Sequence, residues 1–349
     1  MSPKTMWLLV VLVVCVYPLS ASTYWVGTCH EGSFPTIMAA VTSSNVAPGS
    51  TINVCPGGYQ EQVIISKPLT LQGVVASDSS DAEIFLGVDP SVTESPVLET
   101  QLTPTVWVTT GPVIIQNILV STPQTGGECP SVPVVGFYYT SGASGKLNGV
   151  VFSSFNSSNP PCPGWGIWLE NGNSAPTSVT VSNSFSDSGI LAAALEPLPN
   201  IRLTVSITEN QMFINRALGT GISVSQVGGV VKGNFIQPAS GALGSYKGIY
   251  DDAPSATISG NTILGDDFST DFTEEVGKGI VINDDGARVM SNKITNIGIG
   301  VELNCHSATV TGNTISLANI GIDSVPSLFA GSNTFRTVFS SDVARESCP

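Results

Sequence analysis

Charged side chains are scarce in this chain, and basic ones are the scarcest. Charged residues make up 11% of the 349 residues, with 12 Lys and Arg against 26 Asp and Glu, so the formal net charge is −14 at pH 7. Binding to nucleic-acid phosphates needs a basic surface, so the composition predicts no nucleic-acid partner. A polyanionic substrate is disfavoured for the same reason unless a cation bridges it.

Long apolar runs are also nearly absent. Trp7 to Val16 forms one run of ten residues, preceded by Lys4 and followed by small residues near Ala21. This run is too short for a membrane span, which needs about 20 residues. It predicts a cleaved signal peptide over residues 1–22, and therefore a secreted or periplasmic protein without a membrane span.

Two marks repeat from about residue 130 to residue 335. One is a Gly followed by an apolar residue, and the other is an alternating strand that ends in Asn. The Gly positions are 136, 166, 189, 221, 248, 279, 300 and 321, and the Asn positions are 183, 210, 234, 261, 292, 313 and 333. The Asn intervals of 20 to 31 residues are too short for propeller blades, and a β-sandwich would not produce this cycle.

Each repeat can hold two or three short strands, and one repeat alone cannot bury its apolar side. Stacked repeats can, with Ile and Val inward and about 4.8 Å between coils. We expect Asn to occupy a left-handed turn and to bond the Asn of the next coil, and Gly to serve a corner too crowded for a side chain. The sequence therefore predicts an all-β, single-stranded right-handed parallel β-helix, a solenoid of ten or more coils.

The mature chain is interpreted as one domain, residues 23–349. Residues 23–73 are predicted to form a cap and the first coils, with a short helix near residues 33–41 that Ser33 caps. Residues 74–106 are predicted as a loop excursion, 107–340 as repeated coils and 341–349 as a C-terminal tail. We expect the protein to be a monomer.

Six of the seven Cys lie outside the signal peptide, and an even number in an exported chain predicts three disulfides. A zinc site is the weaker interpretation, because no Cys-x-x-Cys pair exists and only two His are present. Only adjacent coils touch in a solenoid, so chain neighbours are the natural partners. The expected pairs are Cys29–Cys55, Cys129–Cys162 and Cys305–Cys348.

The stretch from Phe34 through Gly49-Ser-Thr-Ile-Asn-Val-Cys-Pro-Gly-Gly-Tyr59 to Gly73 resembles the opening of pectin-lyase-like right-handed parallel β-helix repeat proteins, of the exported bacterial type. The later Gly-Ile and Asn repeats resemble the same superfamily. The resemblance implies the fold and an extracellular polysaccharide partner, but no reaction, since the superfamily includes lyases, hydrolases, esterases, epimerases and binding proteins.

The catalytic motifs of that superfamily are missing here. The chain has no Arg-x-Trp of pectin methylesterases, no Gly-His-Gly of polygalacturonases, and no Arg beside calcium ligands as in pectate lyases. The β-helix accessory proteins of copper enzymes would suggest copper, but His and Met are too few to ligate it.

Two Asp pairs occupy similar places in successive repeats, Asp251-Asp252 and Asp284-Asp285. If the coils stack in register, they form an acidic column that could act as general acid and base in an inverting glycoside hydrolase. Trp168, Tyr250, Glu302 and His306 are the candidate substrate-binding residues. The alternative interpretation is that the acids are solvated turn residues.

A second group of acidic residues is suited to binding a cation. Asp266, Asp267, Asp271 and Glu274 form a cluster of oxygen ligands suited to Ca²⁺, without the EF-hand spacing. This cluster favours a non-catalytic, calcium-stabilised adhesion module. The hypotheses are therefore a protein that binds or processes extracellular polysaccharide, a hydrolase, and a structural or adhesion module.

Overall fold

The computed structural model describes residues 21–75, 81–87, 89–121, 132–154, 164–172, 175–195, 203–214, 219–238, 246–265, 277–324 and 329–344. Within these ranges the regular elements are strands, most of them short, and one short helix. The elements in chain order are β1 (Thr23–Val26), α1 (Ile37–Thr42), β2 (Thr51–Val54), β3 (Gly57–Gln60), β4 (Val63–Ile65), β5 (Leu69–Gly73), β6 (Ala82–Phe85), β7 (Thr93–Glu94), β8 (Gln101–Val108), β9 (Val113–Gln116), β10 (Ile118–Ser121), β11 (Val134–Tyr139), β12 (Gly145–Asn148), β13 (Val151–Ser153), β14 (Gly164–Asn171), β15 (Thr177–Ser182), β16 (Phe185–Ser186), β17 (Ile190–Ala194), β18 (Leu203–Thr208), β19 (Gln211–Ile214), β20 (Thr220–Ser225), β21 (Gly228–Lys232), β22 (Phe235–Pro238), β23 (Lys247–Asp252), β24 (Thr257–Ser259), β25 (Thr262–Leu264), β26 (Lys278–Ile282), β27 (Ala287–Met290), β28 (Lys293–Leu303), β29 (Ala308–Thr311), β30 (Thr314–Asp323), β31 (Phe329–Ala330) and β32 (Thr334–Ala344).

The strands stack into three parallel faces around one apolar core. The first face has twelve strands, in the order β1-β2-β5-β9-β12-β15-β18-β21-β24-β27-β29-β31. The second face runs from β3 through β6 and β10 to β25, and the third from β4 through β8 and β11 to β26. Both faces continue into the long strands β28, β30 and β32. This confirms the predicted parallel β-helix.

The core follows from alternation in these short strands. In β24, Ile258 is buried between the half-buried Thr257 and Ser259, and the register places Ile258 on Val231 of one coil and Val289 of the next. Each fully buried side chain of this size contributes about 1.5–3 kcal/mol. A single coil holds only a few such side chains, so the free energy of folding depends on stacking.

An Asn ladder lines the corner between the first and second faces. Each Oδ1 accepts both the backbone N–H and the side-chain Nδ2 of the Asn one coil earlier, from Asn210 through Asn234, Asn261, Asn292 and Asn313 to Asn333. The predicted bonding between Asn of successive coils is confirmed for these positions. The ladder is continued in the preceding coil by Ser184, whose N–H donates to Asn210 Oδ1 at 3.0 Å.

Two details of the predicted Asn turn are wrong. Asn183 is exposed and bonds Asn148 instead of joining the ladder, because the ladder position falls one residue later. From Ser184 to Asn313 the left-handed residue is the one before the ladder position, as at Asn183 (φ 52°), Gly233 (φ 67°) and Gly260 (φ 64°). The ladder Asn serves as a hydrogen-bonding group, and its neighbour provides the turn.

A second ladder, of Gly, begins the third-face strands. A Cβ at Gly248 would lie 2.6 Å from the carbonyl oxygen of Gly279 and 2.6 Å from Cγ2 of Ile263. Gly279 and Gly300 meet the following coil in the same way, at 2.4 Å and 2.5 Å. The predicted crowded corner is confirmed.

The capping helix exists but begins later than expected. Its N-cap is Thr36, whose side chain accepts from Ala39 N, and not Ser33. The carboxylate of Glu61 accepts the N–H groups of Ile37 and Met38 at 2.8 Å each, so a residue from a neighbouring coil completes the cap. Such a contact across coils has no local sequence signal.

Two predicted boundaries also need correction. Residues 74–106 include β6, which pairs in parallel with β3 and β10, and most of β8, which pairs with β4 and β11, so this stretch contributes a coil and not only a loop. Its alternation is interrupted by the polar segment around β7, which hides the repeat. At the other end, β32 continues to Ala344, past the predicted start of the tail at residue 341.

One of the three expected disulfides falls wholly within the described residues. Cys29 and Cys55 are bonded, with their Cα atoms 5.6 Å apart, so that pairing is confirmed. Cys129, Cys162 and Cys348 lie outside the described residues, as does most of the predicted signal peptide. The pairs Cys129–Cys162 and Cys305–Cys348 stay predictions.

Candidate functional site

The third face carries a column of outward side chains, one from each coil. Parallel register places Trp168 and Tyr250 in the same column, with Leu191 and Ser223 between them, and Glu302 follows after Val281. The spacing between coils is about 4.8 Å, so the column is a linear surface with one side chain per coil. Three candidate residues that are far apart in sequence are thus brought onto one face.

Around Tyr250 the outward surface is polar and partly exposed. Asn304 donates to Asn283 Oδ1 at 2.5 Å, and Asn283 Nδ2 donates to the Tyr250 hydroxyl at 2.5 Å. Ser225 Oγ donates to Asp252 Oδ2 at 3.1 Å. We call these five residues the Tyr250 patch.

Charge also surrounds the Tyr250 ring. Lys247 Nζ lies 4.8 Å from the ring centroid, a cation–π contact. Partial burial and the nearby Asp252 raise the pKa of the Tyr250 phenol, and the Asn283 hydrogen bond opposes them. The phenol therefore stays neutral at ordinary pH and can both donate and accept.

Asp251 does not belong to this surface. It lies between Val224 and Ile282 in an inward column of the core and has no solvent exposure. The Ala253 N–H approaches it, but neither carboxylate oxygen has a hydrogen-bond partner among the described residues. Burial, chiefly, and the charge of Asp284 raise the pKa of Asp251 to about 8. Asp251 is therefore largely protonated at pH 7 and is not presented to a polymer on the flank.

The acidic column expected from the two Asp pairs is wrong. Asp251 stacks on Ile282, because two additional residues, Ile282 and Asn283, precede Asp284 in its coil. Asp284 and Asp285 lie in the turn after β26. Asp285 is exposed and accepts the N–H and hydroxyl of Ser307 at 2.7 Å and 2.8 Å, which lowers its carboxyl pKa.

Glu302 is held by an ion pair, and His306 lies beside a carboxylate. Glu302 is 6% exposed, and its Oε1 accepts from Lys278 Nζ at 2.7 Å. His306 Nδ1 lies 3.9 Å from Asp285 Oδ1, a longer contact at the exposed turn. Glu302 is mostly covered, so the described contacts give it a structural ion pair.

At the other end of the column the outward residues are aromatic and buried. Trp168 is 3% exposed and packs edge-on against Tyr138 at 6.3 Å, so it is not an open platform for a sugar ring. Beside them lies Glu170, which is 1% exposed. Sequence reasoning missed Glu170, although its place two residues after Trp168 puts both side chains on the same side of β14.

The calcium ligands expected from the sequence, Asp266, Asp267, Asp271 and Glu274, lie outside the described residues. Their role stays a prediction. Among the described residues, no group of three His, Cys, Asp or Glu side chains converges in a way that could hold a metal ion. In the same part of the chain, no helix combines the length and the apolar character required to cross a bilayer.

The repeats of this chain match a known family of proteins. The profile of the family described as "Periplasmic copper-binding protein (NosD)" matches residues 162–336, half of the chain. This chain belongs to the NosD family. Comparison with curated protein sequences returns no match.

Solved structures share the fold of this NosD-family chain. GH136 lacto-N-biosidase from Eubacterium ramulus aligns over 93% of this chain and 68% of its own, with TM-score 0.56 and 12% identity for the native protein. Its selenomethionine derivative gives TM-score 0.54 and 10% identity over the same shares. DFA-IIIase from Arthrobacter chlorophenolicus A6 covers 93% of this chain and 98% of its own, at TM-score 0.45 and 13% identity. At these identities the first two show the β-helix fold alone.

The family description names copper, whose protein ligands are chiefly imidazole, thiolate and thioether groups. The chain has only His30 and His306, and these lie near opposite ends of the first face, beside β1 and β29. Within the matched stretch, Met212 is buried in the core, and the sulfur of Met290 faces the Arg288 guanidinium at 3.9 Å. Within the part of this NosD-family chain that the structure describes, the side chains do not fit a copper site.

Proposed function

We propose that this NosD-family chain is an exported protein that binds or processes extracellular carbohydrate along the third face, through the Tyr250 patch. The observation that carries the proposal is the partly exposed ring of Tyr250 with amide, hydroxyl and carboxylate groups around it on one straight flank. The fold and the carbohydrate-acting names of similar structures support this ligand class and do not choose a substrate.

The chemistry of the patch suits a sugar. A tyrosine ring offers an apolar face for the C–H groups of a pyranose, and its hydroxyl end remains polar. Asn283 and Asn304 both donate and accept, and Asp252 accepts from sugar hydroxyls. A few placed polar groups on an apolar base are typical of small-ligand sites. The regular stacking of coils adds contacts for successive residues of an extended polymer.

If the protein is a hydrolase, its candidate catalytic groups are the carboxylates that are accessible on the surface. Asp252 is half-buried in the patch, and Asp284 and Asp285 lie in the turn of the next coil. These could supply a general acid and base, whereas the buried Asp251 would act only through its neighbours.

The non-catalytic alternative rests on the acidic segment around Asp266 and Asp271. In that form Ca²⁺ would stabilise an adhesion module, and adding calcium would raise the melting temperature. An unchanged melting temperature with and without calcium would remove this alternative.

Export rests on the predicted signal peptide and agrees with the periplasmic name of the family. The protein is proposed to be secreted or periplasmic and monomeric. Mass spectrometry of the protein recovered after expression with its leader would locate the cleavage site, which we expect near residue 22.

The carbohydrate proposal is tested by a glycan array in parallel with a reducing-sugar assay, each with and without calcium. Tyr250→Ala should lower the affinity for any bound glycan about tenfold, the effect of losing roughly 1.4 kcal/mol of contact. Tyr250→Phe, which keeps the ring, should lose less. Asp252→Asn should abolish hydrolysis if the reaction occurs.

Asp81→Asn is the matched control, because Asp81 is exposed and lies outside the patch. Its affinity and activity should equal those of the unmodified protein. If no glycan is bound or cleaved, or if Tyr250→Ala and Asp252→Asn behave like Asp81→Asn, the carbohydrate function of this patch is refuted.

A further inference from the structure

A second apolar cluster lies on the outside of the third face, separate from the core. It consists of Leu102, Val135, Tyr138, Trp168 and Leu191, with Trp107 and Trp165 packed partly exposed against it. Outward side chains of a solenoid normally face solvent, yet these five are at most 6% exposed. Something covers them.

Part of the cover is a hairpin of residues 91–100, which we call the strap. Its strand β7 pairs antiparallel with the start of β8, unlike the parallel pairs of the three faces. The turn is closed by bonds from Ser95 N to Thr100 O and from Glu99 N to Ser95 O, both 2.9 Å. Ser95, at the turn, is fully buried against the β-helix.

Under the strap lies the carboxylate of Glu170. It accepts from Ser95 Oγ at 2.5 Å, from Trp168 Nε1 at 3.2 Å and, by a short bond, from the Tyr138 hydroxyl. Burial raises the pKa of Glu170, and the three donors oppose that rise. Ser95 is the donor that the strap supplies, and the other two belong to the third face.

A buried carboxylate such as that of Glu170 is unfavourable beneath a segment whose only role is to cover apolar side chains. Taking a carboxylate out of water is unfavourable until its partners compensate, and well-packed apolar residues often stabilise a fold equally well or better. Trp107 Nε1 is also buried without a hydrogen-bond partner among the described residues. Two tryptophans, a tyrosine and a carboxylate together have the chemistry of a sugar-binding surface.

The strap itself is lightly attached. Val92 and Leu98 are 48% and 45% exposed, and β7 has only two residues. Besides Ser95, its base is held by Gln62, whose amide bonds the O and N of Ser91 at 2.9 Å each. Segments with few buried contacts are those that open locally.

We propose that the strap opens to expose a second saccharide subsite, in which Glu170 accepts the hydroxyls of a neutral sugar and the Trp168 and Tyr138 rings contact its C–H face. In the closed state the Ser95 hydroxyl occupies the place of a sugar hydroxyl. The subsite shares the ligand class of the proposed function but none of its residues, and it lies three coils from Tyr250 on the same column.

The geometry offers a direct way to lock the strap. A Cβ at position 172 would lie 3.6 Å from Cβ of Pro96, within the range of about 3.5–4.5 Å found in disulfides. Pro96→Cys with Gly172→Cys should therefore form a disulfide that holds the strap closed. Pro96→Ser with Gly172→Ser is the matched control without thiols.

The measurement is titration with neutral tetrasaccharides of glucose, mannose, galactose and N-acetylglucosamine, followed by tryptophan fluorescence. The control pair should bind at least one of them, and the oxidised Cys pair should bind it more than about tenfold more weakly. Mild reductant should restore binding to the Cys pair and leave the control unchanged. Ser95→Ala should bind about fivefold more tightly, because the open state becomes more populated. Glu170→Gln should bind more weakly, with circular dichroism confirming that it is folded.

Equal binding by the oxidised Cys pair and the Ser control overturns the strap inference. If glycan binding then still depends on Tyr250, the proposed function stands and only the second subsite is lost. If the locked protein loses the fluorescence response but Tyr250→Ala has no effect on any glycan, the subsite stands and the Tyr250 patch is lost. Absence of any saccharide binding by the unmodified protein overturns both.

Discussion

Asn261 and Asn292, which are 31 residues apart, are joined by two hydrogen bonds to one oxygen. Asn292 Oδ1 accepts the backbone N–H and the side-chain Nδ2 of Asn261, both at 2.9 Å. Asn261 Nδ2 also donates to the carbonyl of Val231 in the preceding coil. The Asn261 amide thus links its own coil to the coils before and after it. The interval between ladder residues can vary because the side chain itself sets the register.

Replacing Asn261 by Ala should destabilise the protein by about 3 kcal/mol, because it leaves buried donors of Asn234 and the carbonyl of Val231 without partners. Thermal unfolding followed by circular dichroism measures the change. Asn45→Ala is the control, since Asn45 is exposed, and its melting temperature should match that of the unmodified protein. Equal melting temperatures for the two variants would contradict the role given to the ladder.

Gly248→Ala should destabilise by about 1–3 kcal/mol, because the new Cβ would overlap the next coil and force the third face apart. The affected strand carries Tyr250, so glycan affinity should fall together with the melting temperature. Gly87→Ala is the control, because a Cβ there meets its nearest atom at an ordinary 3.4 Å and the φ is not left-handed. A Gly248→Ala protein as stable as the control would show that the coils are not packed as closely as described.

Asp251 should make the free energy of unfolding depend on pH. Its carboxyl pKa is raised from 3.8 to about 8 by burial and by the charges of Asp284 and Asp252. The folded protein therefore holds a proton that the unfolded chain loses, and the resulting stability is fully present below the unfolded pKa and falls as pH rises through the folded one. Melting temperatures across this window should decline toward alkaline pH.

Asp251→Val gives this position an apolar side chain like those of Val224 and Ile282, which flank it. The variant should lose most of the decline of the melting temperature toward alkaline pH. At pH 8 the free energy of unfolding of the variant should exceed that of the unmodified protein by roughly 1–4 kcal/mol, the range found when buried ion pairs are replaced by apolar groups. The advantage should shrink at pH 5. Asp81→Asn should keep the original pH dependence, and an Asp251→Val protein that also keeps it would refute the assignment.

Much of the fold could be predicted from local patterns. The Gly-Ile pairs mark the third-face strands because only Gly allows the close approach at that corner. The Asn spacing marks the corner between the first and second faces. The sequence does not show that the residue before the Asn takes the left-handed conformation. The coil within residues 74–106 was not predicted, because the strap, which includes β7, interrupts the alternation of the strands in that coil.

The sites were harder to predict than the fold. Asp251 and Asp252 look alike in sequence, yet one faces the core and the other the surface, because successive side chains of a strand point to opposite faces. Asp284 and Asp285 appear to be their counterparts until the register shows two additional residues in that coil. Glu170 shares one side of β14 with Trp168, but what makes it unusual is its hydrogen bond to a serine 75 residues away.

Composition and periodicity by themselves determined the architecture: a chain with few charges and a repeated Gly and Asn can bury its Ile and Val only by winding coil upon coil. The tertiary structure alone decided which residues share a surface. The register between coils depends on how many residues each coil contains. A difference of one residue moves a carboxylate from the surface to the core, and a difference of two moves it from a strand into the following turn. That count has no local signature, so the Tyr250 patch, the buried Asp251 and the covered Glu170 became visible only in three dimensions.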